Sequence, residues 1–208
     1  MYTHCGTHVD TLSHYGYDGK IWNGFSEKEH LASRHWTVCG ADKHPPIISR
    51  GVVLDVAGAQ GVDALPDSYG ISDADLRDAC KRQGSEVRVG DVVIIRTGKM
   101  TVWPDTQRFI QNEPGIDLSA ARYLAECGVV TIGADNIALE QLPTADPENW
   151  QVVHCYLLAE AGIPVMEMVN VEELVGEGIF EFAFLGACLR LRGATGSPMR
   201  PFALPLKR

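Results

Sequence analysis

Several things this chain lacks narrow its chemistry. There is no basic surplus: 18 lysines and arginines stand against 27 aspartates and glutamates, a net charge of −9. Gripping a phosphate backbone needs a positive field, so no nucleic-acid partner is expected. No apolar run approaches the ~20 residues of a membrane-spanning helix, so no membrane partner is expected either. The opening residues are polar and unlike a signal peptide. C-x-x-C pairs are missing. The six cysteines, at 5, 39, 80, 127, 155 and 188, are scattered, which reads as free thiols in a reducing cytoplasm. Repeats, low-complexity tracts and linkers are also absent. The 208 residues therefore read as one domain, 1–208, with ample length for a buried core.

Histidine, by contrast, is concentrated. Three of the seven histidines lie in T-H-C-G-T-H-V-D-T-L-S-H, Thr3 to His14. His4, His8, Asp10 and His14 share one face of an extended chain. In a straight strand His4 and His8 would be about 13 Å apart at ~3.3 Å per residue, too far for one ion with ligands at ~2.0–2.2 Å. Gly6 permits the bend that would bring them together. A helix is the poorer choice, because Thr3, Thr7, Val9 and Thr11 are β-branched and Gly6 interrupts the span. The expectation is a bent strand that gathers His4, His8 and Asp10 as metal ligands.

Further along, R-G-V-V-L-D-V-A (50–57) and V-V-I-I-R-T (92–97) suit buried strands. Ser72 with Asp75 predicts a capped helix over 73–83, stopped by Gly84. Asp117 or Ser119 caps a second helix running to Glu126, followed by a strand to Ala134. Residues 26–33 read as a short helix and 100–115 as a long irregular connection. Trp150–Ala161 reads as a helix ended by Gly162, and 163–168 as a strand. Residues 178–191 read as a strand bulged at Gly186, and the proline-bearing tail as an edge. Helix, glycine, strand in succession predicts α/β crossovers.

Within P-V-M-E-M-V, Glu167 is a carboxylate in an apolar strand, expensive unless paired or cation-bound. With His154 on the preceding helix it reads as a pair of distant ligands; otherwise His154 is a core histidine on a backbone carbonyl. A nitrogen and oxygen ligand set suits Zn²⁺ or Mn²⁺, and a bridging Asp10 would suit two ions. His14 is assigned as the general acid/base, with a ligand role as its alternative. Tyr15, Tyr17, Trp22 and Phe25 either wall a pocket for a flat substrate or cover the core edge. Cys5 inside the motif and Cys155 beside His154 each offer a weaker, thiol-nucleophile alternative; packing, or support behind the ligands, is the expected role of both.

These residues resemble the putative cyclase family, which includes bacterial kynurenine formamidase and isatin hydrolase. The resemblance rests on His4-x-Gly6-Thr7-His8-x-Asp10-x-x-x-His14. It continues through Asp18-Gly19, Asn23-Gly24, Arg50 to Asp55, Gly90 to Ile94, Gly133-Ala134-Asp135, His154 with Leu157-Leu158, Gly162-Ile163 with Glu167, and Gly193 to Pro198. It implies an α/β fold of the layered β/β/α swivelling type with a mixed sheet. It implies metal ligation by His4, His8 and Asp10, with His154 and Glu167 completing or sharing a second ion, and His14 as acid/base. The implied activity is metal-dependent hydrolysis of an amide bond in an arylformamide or lactam, in a homodimer or homotetramer. Leu12, where the formamidases carry proline, places the chain nearer the isatin-hydrolase-like branch. Family chains run several tens of residues before the first histidine, so a shortened leading segment is expected. Lactone hydrolysis or cyclisation, and metal binding without turnover, are the alternatives.

Overall fold

The computed structural model describes residues 2–145 and 148–206. Its strands are β1 (His8–Asp10), β2 (Ile47–Asp55), β3 (Gly70–Ile71), β4 (Val92–Arg96), β5 (Gly115–Ile116), β6 (Thr131–Ala134), β7 (Val165–Glu167), β8 (Glu181–Gly186), β9 (Gly196–Pro198) and β10 (Phe202–Pro205). Eight of them form one curled, mixed sheet in the order β10-β8-β2-β4-β6-β7-β1-β9, and β3 pairs with β5. The centre, β2-β4-β6-β7, is parallel. On one side β1 runs antiparallel between β7 and β9. On the other, β8 and β10 are antiparallel.

Buried parallel strands are apolar on both faces because both are covered, and V-V-I-I of β4 is buried throughout. Val52, Leu54 and Ile95 pack with Leu76, Ala79 and Leu124 of helices Asp73–Gln83 and Leu118–Glu126. Val53 and Ile94 turn the other way, onto Val9, Met166, Phe182 and Phe184. Each such side chain contributes about 1.5–3 kcal/mol on full burial. Helix Asp73–Gln83 carries the expected capping box between Ser72 and Asp75 and ends on Gly84 at φ 67°. Asp117, rather than Ser119, caps the second helix, accepting from the backbone N–H of Ala120.

The short helix expected over 26–33 spans only Glu27–His30, and four other segments depart further from expectation. Strand β2 begins at Ile47, where it pairs with Gly186, and stops at Asp55, whose carboxylate caps the short helix Val56–Ala59. Strand β8 ends at Gly186 without continuing through a bulge; a Cβ there would lie 2.7 Å from Met199 Cε and from the Phe184 ring. The 100–115 connection holds a short helix, Thr106–Phe109, and leads into β5. The expected helix over 150–161 is α-helical only at Val152–His154 and continues as a π-helix, Cys155–Ala161. Such wide turns gather at functional sites. Among the described residues, no helix is long and apolar enough to cross a membrane.

Candidate metal centre

The sheet register itself builds the site. Strand β1 lies between β7 and β9, so His8 faces Glu167 across one ladder, and Asp10 faces Gly196 across the other. Gly6 takes φ 59°, a left-handed conformation that glycine adopts without a Cβ penalty. The resulting turn folds His4 back over the strand. His4 Nδ1 then lies 2.6 Å from Asp10 Oδ1, and the His4 and His8 rings sit 5.2 Å apart. Gly196 leaves the space this needs, because a Cβ there would meet the His4 ring at 2.5 Å.

His154 reaches the same point from the start of the π-helix. Its Nε2 is 3.3 Å from Glu167 Oε1 and 3.8 Å from Asp10 Oδ2. His8 Nε2 is 3.1 Å from Glu167 Oε2. Two groups able to hold an ion therefore share Asp10: His4–His8–Asp10 and Asp10–His154–Glu167, with ligand atoms within 4.8 Å of one another in each. Ligands at ~2.0–2.2 Å in tetrahedral array stand ~3.4 Å apart, in the range of the separations seen.

The polar atoms themselves favour a cation. His8 Nε2 and both oxygens of Asp10 are buried and make no hydrogen bond, although ion-pair partners surround them. Lone pairs that miss one another and aim at a common point are what a bound cation satisfies. Protons mark the same places. Burial would lower the His8 imidazole, but Asp10 and Glu167 override it and raise it to about 10. His154 is raised too, burial being outweighed by Asp10, Glu140 and Glu167. Burial would raise Asp10, yet His154, His4 and His8 hold it well below the usual carboxylate range.

The second nitrogen of each imidazole is held outside the cluster. His8 Nδ1 donates to the Gly6 carbonyl at 2.8 Å. His4 Nε2 shares a 2.9 Å hydrogen bond with Thr195 Oγ1. His154 Nδ1 donates to Glu140 Oε1 at 2.5 Å. Such partners fix which nitrogen faces the ion.

His14 stands beside the ligands. Its Nε2 is 3.4 Å from Asp10 Oδ2, and its ring is 4.1 Å from that of His4. Burial pushes His14 down to about 4; His4 and His154 push the same way, while Asp10 pulls against them. It is therefore neutral at physiological pH.

Of the aromatic residues, Tyr15 adjoins the site, 5.8 Å from the His154 ring and 5.9 Å from His14. The structure does not gather the other three beside it. Tyr17 is exposed, with Glu160 acting on its hydroxyl. Trp22 packs over Gly162, and Phe25 sits edge-on to His30 at 4.9 Å. Trp150, which the sequence did not single out, lies edge-on to Tyr15 at 6.4 Å. Burial raises the Cys155 thiol, and Asn149 is its hydrogen-bond partner, surroundings that work against a thiolate nucleophile. Exposed Cys5 donates to the Tyr2 carbonyl.

Glu140 and Thr195 were not anticipated as partners of the ligands. Glu140 had a readable signal: it is an acidic residue inside the apolar run I-A-L-E-Q-L, the argument already applied to Glu167.

Comparison with known proteins bears on the family and the fold. The family model described as Putative cyclase matches residues 1–141. A solved structure of a novel cyclase is 32% identical and covers 98% of this chain and 68% of its own, at a TM-score of 0.88. An isatin hydrolase bound to the product analogue thioisatinate is 23% identical, with coverage of 99% and 74% and a TM-score of 0.75. A predicted metal-dependent hydrolase from Bacillus stearothermophilus is 19% identical, with coverage of 97% and 77% and a TM-score of 0.62. The last two share the fold. No curated protein matches the sequence.

Proposed function

Since the chain belongs to the putative cyclase family, we propose that it is a metal-dependent hydrolase cleaving a C–N amide bond of a small cyclic or aryl amide. The observation that carries this is the convergence of two ligand groups on Asp10, with a neutral histidine alongside. His4, His8 and Asp10 would hold one divalent ion, zinc or manganese, and Asp10, His154 and Glu167 a second. Bound there, a cation supplies Lewis acidity, polarising the carbonyl and lowering the pKa of water from ~15.7 toward 7.

The chain's own residues do the rest. His14 Nε2 faces the cluster and accepts the proton of the attacking water. The imidazolium so formed stands 3.4 Å from the Asp10 carboxylate, which stabilises it until the same nitrogen returns the proton to the leaving amine. Tyr15, with Trp150 against it, offers an aromatic wall for a flat substrate. Lactone hydrolysis or ring closure is the second reading, favoured by the 32% identity to a novel cyclase. Assembly as a homodimer or homotetramer belongs to the same proposal; β10 exposes Phe202 and Leu204, apolar surface that an interface would bury.

The test is turnover of isatin, N-formylkynurenine and a panel of lactones by zinc- and manganese-loaded protein, before and after chelation. Amide turnover lost with the metal supports the proposal. Lactone turnover alone moves the assignment to the second reading, and chelator-insensitive turnover overturns both.

A further inference from the structure

Glu140 belongs to neither group that could hold an ion, yet it is buried as thoroughly as His8, Asp10 and His154. Its backbone lies against Gly115, where a Cβ would come within 2.5 Å of the Glu140 carbonyl oxygen. The chain reaches it through Leu139 at φ 56°, a left-handed conformation costing a residue with a Cβ about 1–2 kcal/mol. Leu139 is pinned there by Asn136, whose side-chain oxygen accepts its N–H. The carboxylate is thus delivered to one place by a tight, partly strained turn.

At that place it accepts three hydrogen bonds. The Val153 N–H reaches Oε2 at 3.2 Å and the His154 N–H reaches Oε1 at 3.0 Å. His154 Nδ1 reaches Oε1 at 2.5 Å. The first two satisfy N–H groups at the start of a helix that has no local side-chain cap, where such donors are otherwise orphaned. The third uses the remaining freedom of the imidazole. With its proton on Nδ1 held by a carboxylate, the ring keeps Nε2 free and aimed at Glu167 and Asp10.

We propose that Glu140 is a positioning residue that fixes the tautomer and ring orientation of His154, and so gives the Asp10–His154–Glu167 group its affinity for the second cation. This rests on the two-ion reading above. The two groups differ in how their histidines are held: a carboxylate holds His154, whereas a hydroxyl and a carbonyl hold His4 and His8. Loss of Glu140 therefore acts on one ion only. Glutamine is the informative replacement. It matches the shape, but one of its two ends must present N–H groups where Glu140 accepts from the backbone.

The experiment measures equilibrium metal binding of the wild-type chain, Glu140→Gln and His154→Ala, by competition with a chromophoric chelator for zinc and for manganese. The Nδ1–H resonance of His154 is recorded in 15N-labelled protein, and thermal unfolding confirms that each variant is folded. Glu140→Gln should weaken one ion by about 10–100-fold, the usual cost of losing an outer partner of a ligating histidine, and leave the other unchanged. His154→Ala should affect the same ion. The downfield, exchange-protected Nδ1–H signal of the wild type should move upfield or vanish in Glu140→Gln. Two ions bound with wild-type affinity by Glu140→Gln, or both weakened equally, would overturn the assignment. A wild-type protein that never takes a second ion would instead sink the two-ion reading. The His154 signal then decides whether Glu140 orients the ring: an unchanged signal in Glu140→Gln removes that role as well.

Discussion

His8 and His14 stand on the same short segment, yet their surroundings separate their chemistry. His8 is raised to about 10 between two carboxylates, and His14 is lowered to about 4 by burial and by neighbouring imidazoles. Replacing His8 with alanine should abolish tight metal uptake. His14→Ala should keep the metal and lose roughly 10²–10⁴-fold in turnover, the range for a lost proton-transfer group; elemental analysis alongside kinetics separates the two, and equal metal loss would make His14 a ligand. The pH sign follows from the raised group. A proton on His8 stabilises the metal-free fold fully below the ordinary imidazole value of 6.5, and that contribution is lost as pH rises through about 10. A cation must displace that proton. Metal uptake at pH 7–8 should release at least one proton per chain, and affinity should climb toward pH 10; calorimetry in buffers of different ionisation enthalpy reads both. The cluster of His4, His8 and Asp10 was legible because histidines and an aspartate at that spacing have little other use together. Thr195 was not, because a hydroxyl that holds another side chain looks in sequence like any other polar residue.

At the level of elements, the parallel centre was readable from its apolar runs, and helix Asp73–Gln83 from its capping box. The ends were not, because tertiary contacts set them. Met199 crowds Gly186, and it belongs to a later segment of the chain. The π-helix also went unread, since its side-chain spacing over so short a span resembles an α-helix. Gly162 closes that helix at φ 69°, with the Trp22 ring 2.6 Å from where a Cβ would stand. Gly162→Ala combines a left-handed penalty of about 1–2 kcal/mol with that clash. Denaturant unfolding should show at least this loss. Metal content at 25 °C should be retained, because the ligands lie at the helix's other end. A variant as stable as wild type would mean that this end of the helix can relax.

Across the whole molecule, the buried carboxylates are not all spent on the site. Glu113 accepts the N–H groups of Ile137 and Ala138 on Oε2, while its Oε1 is buried without a partner. Burial raises it to about 7. A carboxyl whose folded value exceeds its unfolded one penalises the fold when ionised. The penalty is absent below about pH 4.5, grows through 7 and is full above it, reaching about 3 kcal/mol at most. Glu113→Gln should therefore match wild type at pH 4.5 and be more stable at pH 8 by denaturant unfolding. An equal difference at both values would contradict the assignment. The overall architecture was legible at the level of strand–helix alternation and of the family motifs. The order in which β1 inserts between β7 and β9 was not, because it depends on pairings between residues more than 150 positions apart.

The most direct test is the number of divalent ions bound per chain in wild type and in Asp10→Asn, by equilibrium dialysis and elemental analysis. Asp10 is the one side chain common to both ligand groups. The wild type should take up to two ions, and Asp10→Asn should retain neither tightly while remaining folded. An Asp10→Asn protein that keeps its full complement, or a wild type that binds none, would contradict the convergence on which the account depends.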